Sequence, residues 1–201
     1  MNPPALGSPR FSAASWMRMS LALGGSNALP DRDTPIGALT HDFFTNNWAN
    51  AQALLARSKC LRVFREPSPA PHVFGFEFDR PYKRKRSELG IVVLAPGPIR
   101  GFLCYATDPF TADPALPAAV VFIESDGGFF HPNYSHRMGG VLCLGNLPAG
   151  PQPLDFLLEH IYRIVTYQNR STSSALDSEA ARYFAEDPHA LDGLVPVEPL
   201  Y

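Results

Sequence analysis

Disulfide and zinc chemistry have little to work with in this sequence. Its three cysteines, Cys60, Cys104 and Cys143, are odd in number, and none belongs to a Cys-x-x-Cys pair. That argues against a disulfide framework or a structural zinc site, and free thiols imply a reducing, cytoplasmic setting. Charge is sparse as well: 17 basic and 19 acidic residues leave a formal charge of −2, which gives no reason to expect affinity for nucleic acid. No apolar run approaches the ~18 residues needed to cross a membrane. The stretch ASWMRMSLALGG at 14–25 imitates a signal-peptide core, but a single Arg precedes it and it lies beyond two early prolines, so it fits a secretion signal poorly.

Hydrophobic residues make up 45% of the 201 positions, enough for one domain with tails and a real core. The 21 prolines are about twice the usual share and predict long, stiffened loops. Residues 1–36, with NPP, GSP, GGS and LPDRD around one short apolar piece, read as a flexible arm. The domain is expected over 37–190, with a tail over 191–201.

Thr40 is an expected N-cap, with Asp42 in the first turn of a helix whose Phe44, Trp48, Ala51 and Leu55 share a face. Segments at 60–66, 72–78, 88–95, 101–107 and 118–124 are rich in β-branched and aromatic residues and are separated by proline-rich turns. Connections this short suit antiparallel pairing. KRKR at Lys83–Arg86 reads as a solvated hairpin tip. Leu154, Leu157, Leu158, Ile161, Ile164 and Val165 have helical spacing after Pro153, and a last helix is expected over DSEAARYFAED, capped by Asp177 or Ser178. The fold class is therefore α+β: about four antiparallel strands as a meander, an N-terminal helix and two C-terminal helices.

The chemistry centres on HPNYSHRMGGVLCLGN, residues 131–146. A cysteine thiolate can attack an acyl carbon and hold it as a thioester, and an amide N–H can stabilise the oxyanion formed when that thioester is attacked. Asn133 supplies such a donor, Pro132 stiffens the turn before it, and Gly139 and Gly140 let the chain double back toward Cys143. The alternative reading is a buried structural cysteine. Cys60 and Cys104 read that way.

This segment resembles the active site of the ubiquitin-conjugating (E2) enzymes, which carry a His-Pro-Asn motif, a loop, and then Gly-x-apolar-Cys-Leu. LGIVVLAPGPIRGFLCYATDPFTADPALPAAVVFIES is similar to that family's second to fourth strands, and PLDFLLEHIYRIVTYQNRSTSSALDSEAARYFAED to its helix, loop and helix after the cysteine. The resemblance spans roughly residues 38–187. It implies a UBC-like fold in which Cys143 is the nucleophile, Asn133 stabilises the oxyanion or braces the loop, and His131 and Pro132 hold the turn. It also implies an activating enzyme that loads a ubiquitin-like protein onto Cys143, a target protein whose amine accepts it, and no cofactor or metal. Divergent bacterial relatives of the family sit beside such partners, some in antiphage defence.

The chain departs from the family in several places. The spacing from Asn133 to Cys143 is two residues longer than usual, and the tryptophan common after the cysteine is missing from GNLPAGPQPLDF. The acidic position that helps the attacking amine falls on Ser174, with Asp177 one turn on. The first helix offers only Arg57 as a basic contact for an activating enzyme. Two rivals remain: a non-catalytic module of the same fold, disfavoured by the retained Cys143, and a cysteine hydrolase pairing Cys143 with His131 or His136.

Overall fold

The computed structural model describes residues 29–65, 68, 70–86, 88–110, 118–124, 128–171, 175–194 and 199–200. Helix α1 runs Pro35–Leu55, earlier than expected. Thr34 is the cap, its hydroxyl accepting the Gly37 N–H (3.1 Å), and Pro35 begins the first turn. A threonine followed by proline is the stronger start signal, since proline has no N–H to leave unpaired and its φ already suits a helix. Thr40 is instead a buried residue within the helix. Domain structure thus begins before residue 37, and the expected flexible arm lies outside the described residues as far as residue 28.

Eight strands follow among the described residues, where about four were expected. They are β1 (Leu61–Arg65), β2 (Val73–Phe78), β3 (Tyr82–Arg86), β4 (Ile91–Ala95), β5 (Ile99–Tyr105), β6 (Ala119–Glu124), β7 (Tyr134–Ser135) and β8 (Val141–Leu142). One antiparallel sheet has the order β1-β2-β5-β6-β8-β7, and β3-β4 forms a separate hairpin. The fold class is α+β, with antiparallel sheets and, among the described residues, three helices. Part of the excess comes from KRKR, which is a strand rather than a solvated tip. Lys83 is 7% exposed, with Nζ donating to the Asp192 carbonyl (2.8 Å), and Lys85 pairs with Glu179. Long cationic side chains can lie in a strand when their stems pack and their heads find oxygen. The other edge of β3 is held by the segment leading to His131: Lys85 N–H donates to Gly128 O (2.9 Å) and Phe130 N–H to Lys83 O (3.0 Å).

The main core lies on one face of the large sheet. Phe74, Phe76 and Phe78 of β2, Leu103 and Tyr105 of β5, and Val121 and Ile123 of β6 point to it. Phe44 and Ala51 of α1 cover it, together with Leu157, Leu158 and Ile161 of helix α2 (Leu154–Val165). Gly101 keeps this layer tight, since a Cβ there would meet the Phe122 carbonyl at 2.4 Å and the Phe76 ring at 2.5 Å. Helix α3 (Ser178–Glu186) starts at Asp177, as expected, with its carboxylate accepting the Glu179 and Ala180 N–H groups (3.0 and 3.0 Å). Leu200 is 3% exposed and sits in the main core, so this part of the C-terminal tail is docked. No helix among the described residues is long and apolar enough to cross a membrane.

Helix α2 has no side-chain cap of its own, because Pro153 occupies that position. Its first N–H, from Leu154, instead donates to Asn47 Oδ1 of α1 (3.0 Å), and Asn47 is 2% exposed. Losing that acceptor would leave a buried amide unpaired. Asn47→Ala is therefore expected to lower unfolding free energy by about 1–3 kcal/mol, read as a shift of the urea midpoint with unchanged slope. An unmoved midpoint would show that water replaces Asn47 without loss.

Candidate active site

Residues 131–134 form a buried turn closed by the Tyr134 N–H on the His131 carbonyl (3.0 Å). A buried turn needs partners for all its backbone groups. The Pro132 carbonyl accepts two N–H groups from the start of α3, those of Leu176 (2.8 Å) and Asp177 (3.1 Å). The Asn133 N–H donates to His131 Nδ1 (3.0 Å). That bond fixes Nδ1 as an acceptor, so the ring proton sits on Nε2. Nε2 is buried without a hydrogen-bond partner among the described residues.

His131 is 0% exposed, stacked on Phe129 (5.9 Å, 14°) and packed against Tyr167 (4.8 Å). Burial lowers its pKa from 6.5 to about 3, opposed by the Ile164 backbone and aided to a lesser degree by the Arg170 charge. A neutral, enclosed imidazole with one nitrogen engaged cannot serve as the base of a cysteine–histidine pair. His131 and Pro132 hold the turn.

Asn133 and Cys143 face each other at the open end of the β7–β8 hairpin. Tyr134 pairs with Leu142 and Ser135 with Val141. One step beyond, Cys143 N–H donates to the Asn133 carbonyl (2.7 Å), and Asn133 Nδ2 donates to the Cys143 carbonyl (3.4 Å). Asn133 Oδ1 accepts the Ser171 N–H (3.0 Å), so one carboxamide joins the cysteine strand to the loop after α2. The structure thus brings Asn133 to the cysteine backbone, as a brace. The long spacing between the two residues is taken up at the closed end of the hairpin. There Gly139 (φ +74°) and Gly140 (φ +93°) turn the chain, and Gly140 N–H closes onto Ser135 O (3.0 Å). His136 sits in that exposed tip, on the order of 10 Å along the ladder from Cys143.

Cys143 is half-buried, whereas Cys60 and Cys104 are buried. The Gly145 N–H points at its sulfur (3.4 Å), and Gly145 has φ +70°. Core side chains then pin the strap that follows. His160 Nε2 bonds the Leu144 carbonyl (2.7 Å), so Nε2 is the donor there. Tyr105 O–H donates to Gln152 O (2.9 Å), and Asn47 holds Leu154. Ser174 lies outside the described residues. Asp177 is described, and its Oδ1 caps α3.

Several residues that build the site are not apparent as such in the sequence. Tyr167 ends α2 in a left-handed conformation (φ +64°), which costs on the order of 1 kcal/mol or more for a bulky residue. Its hydroxyl accepts the Lys83 N–H (2.9 Å) and donates to Phe130 O (3.0 Å), tying the β3–β4 hairpin to the chain entering the turn. Burial pushes its phenol far above the usual range. Only Gly145 carried a local signal, as the glycine of Cys-Leu-Gly. Tyr167, Ser171 and His160 act through partners far away in sequence. The described residues include no cluster of three His, Cys, Asp or Glu side chains able to hold a metal ion.

Two outcomes follow for the turn. Because His131 is held neutral down to about pH 3 against 6.5 for an ordinary histidine, the unfolded chain takes a proton that the folded one refuses. The stability this confers is complete above about pH 6.5 and drains as pH falls toward 3. Urea midpoints measured from pH 7 to 4.5 should fall more steeply in the parent than in His131→Gln, and parallel curves would dismiss the effect. Tyr167→Phe removes a hydroxyl that satisfies two buried backbone groups, and a loss of about 1–3 kcal/mol is expected in the same assay.

No protein-family model matches the chain, and a search of curated proteins finds no match, so the chemistry rests on this geometry.

Proposed function

We propose that Cys143 carries the C-terminal acyl group of a ubiquitin-like protein as a thioester, and that the chain is a divergent conjugating enzyme with a UBC-like fold. The observation that carries this reading is the reciprocal bonding of Asn133 and Cys143, which leaves a half-buried thiol on a braced strand end beside a carboxamide. The run of antiparallel neighbours β1-β2-β5-β6, with α1 before it and α2 and α3 after the cysteine, supports the same reading.

In the forward reaction, the Cys143 thiolate attacks the thioester carbon held by the activating enzyme. A new C–S bond forms, the old one breaks, and the donor's thiolate leaves. An amine on the target then attacks the Cys143 thioester. A C–N bond forms, the Cys143 C–S bond breaks, and the amine proton passes to solvent or a base. The Asn133 amide lies at the cysteine backbone, and on this reading its N–H is the donor offered to the oxyanion of the second step. Such bonds are often formed only in the reacting complex.

A hydrolase is disfavoured by the neutral, enclosed His131 and by the position of His136 at the far end of the hairpin. A non-catalytic binding module draws support from one observation, the use of Asp177 Oδ1 as the α3 cap, which gives that acidic side chain a structural role.

Incubation with an activating enzyme, ATP and the cognate ubiquitin-like protein separates these readings. The expected result is a DTT-sensitive adduct that is absent in Cys143→Ala and becomes DTT-resistant in Cys143→Ser, since an oxyester is not cleaved by thiol exchange. Retention of the adduct in Cys143→Ala, or non-covalent binding of the ubiquitin-like protein with no adduct, would overturn the proposal.

A further inference from the structure

The β3–β4 hairpin has one edge in use and one open. On β3, the Lys85 N–H donates to Gly128 O (2.9 Å), the Lys83 carbonyl accepts the Phe130 N–H (3.0 Å), and the Lys83 N–H donates to the Tyr167 hydroxyl (2.9 Å). The backbone groups of Lys83 and Lys85 therefore point away from β4. Alternation leaves the ladder between the two strands to Tyr82, Arg84 and Arg86, whose partners are Ala95, Val93 and Ile91. It follows that the N–H and C=O groups of Val92 and Leu94 point to the outer edge of β4. Among the described residues, no strand pairs with that edge and no backbone hydrogen bond reaches it. Edges of this kind are ordinarily blunted by a charge or a proline, because they template pairing with another chain. The sequence of β4, IVVLA, has neither, and Ile91 and Leu94 are 47% and 45% exposed.

A cavity of about 380 Å³ lies between this hairpin and α3, at the small end of ligand cavities. Its apolar walls are Val92, Phe130 and Tyr183, the two rings meeting edge to face (5.6 Å). Side chains directly opposite each other on neighbouring strands share a face of the sheet. A strand added to the open edge would therefore set one side chain beside Val92, at the cavity, and another, two residues away, beside Leu94.

The charges lining the cavity select what enters it. Lys85 and Glu179 pair with each other. That leaves two carboxylates, Glu186 and Asp187, to one guanidinium, Arg182. The aromatic wall already accommodates a cation, since Lys85 Nζ lies 6.0 Å from the Phe130 ring centroid, within cation–π range. An incoming arginine or lysine would meet a ring and the surplus carboxylate, whereas an acidic side chain would add to the surplus.

We propose that the groove between β4 and α3 binds an extended peptide of a partner protein as an added antiparallel strand. The peptide carries an arginine or lysine for the cavity beside Val92, and an aliphatic residue two positions away for Leu94. Its main chain bonds Val92 and Leu94 and sets the register, and the two side chains supply selectivity. The inference is independent of the chemistry at Cys143.

Selection of random twelve-residue peptides displayed on phage, against the full chain, tests it. Enriched sequences should share a basic and an aliphatic residue two positions apart. A fluorescein-labelled synthetic peptide of the enriched sequence then reports affinity by anisotropy. N-methylation at its basic residue removes the N–H that faces Val92 and should weaken binding at least about tenfold. N-methylation of the residue between the basic and aliphatic positions, whose N–H faces away, should cost less than about threefold. Glu186→Lys, at an exposed position of α3, should weaken binding about fivefold or more. No enrichment, enriched peptides without the basic–aliphatic pair, equal affinity of the two methylated peptides, or unaltered binding to Glu186→Lys would overturn the proposal. So would a dimer of the chain alone that Leu94→Pro dissolves, since proline there removes an outward N–H and a second copy would then occupy the edge.

Discussion

Burying a turn is costly unless its polar groups find partners, and the turn at His131–Tyr134 draws partners from all over the molecule, though His131 Nε2 is left without one among the described residues. The Pro132 carbonyl is satisfied by the start of α3, and Asn133 is satisfied by the loop after α2 and by the cysteine strand. The imidazole of His131 serves the turn from within. Proline at position 132 lightens the requirement, because it brings no N–H that would need an acceptor. Each unmet partner here would cost on the order of 1–3 kcal/mol, a large share of a domain's net stability. The position of Cys143 is therefore a product of the whole fold rather than of its own short segment.

The same constraint explains how much of the molecule could be read in advance. Helices α2 and α3 were legible because periodicity and the Asp177 cap are local signals. The central strands were legible because β-branched and aromatic residues cluster between prolines. The pairing of His131–Pro132–Asn133 with Cys143 was legible from the resemblance, and the glycines at 139 and 140 gave the chain reversal. The start of α1 was misplaced because two threonines compete as caps, and Thr34 has the proline that decides the matter. β3 was missed because four adjacent cations look solvated until Asp192 and Glu179 come into view from more than 90 residues away. Strands β7 and β8, two residues each, are too short for any pattern. They exist because β6 offers an edge to Val141 and Leu142.

Tyr167 shows why the remaining parts of the site had to be seen. A bulky residue at positive φ is locally unfavourable, and no reading of YRIVTYQNR would choose it. It persists because one hydroxyl serves both Lys83 and Phe130 while the ring packs on His131. Local strain is outweighed by three separate tertiary contacts, each invisible to a sequence window. Ser171 and His160 follow the same rule, contributing an amide and a ring nitrogen to residues fixed elsewhere.

On the proposed reading, the distribution of charge around Cys143 divides the reaction into an easy and a hard half. Thioester exchange trades one sulfur leaving group for another, so loading asks mainly for an accessible thiol on a rigid support. The strap pinned by His160, Tyr105 and Asn47 supplies such a support. Attack by a lysine amine asks for more, because at neutral pH a free lysine, with a pKa of about 10.4, is almost wholly protonated. The acidic candidate from the sequence, Asp177, has one oxygen, Oδ1, accepting two helix amides. If Asp177 does not take the amine proton, activation falls to the target itself, to a partner that brings its own carboxylate, or to an acceptor less basic than lysine. A site that holds an acyl group well and activates amines poorly would depend on its partners for the timing of transfer.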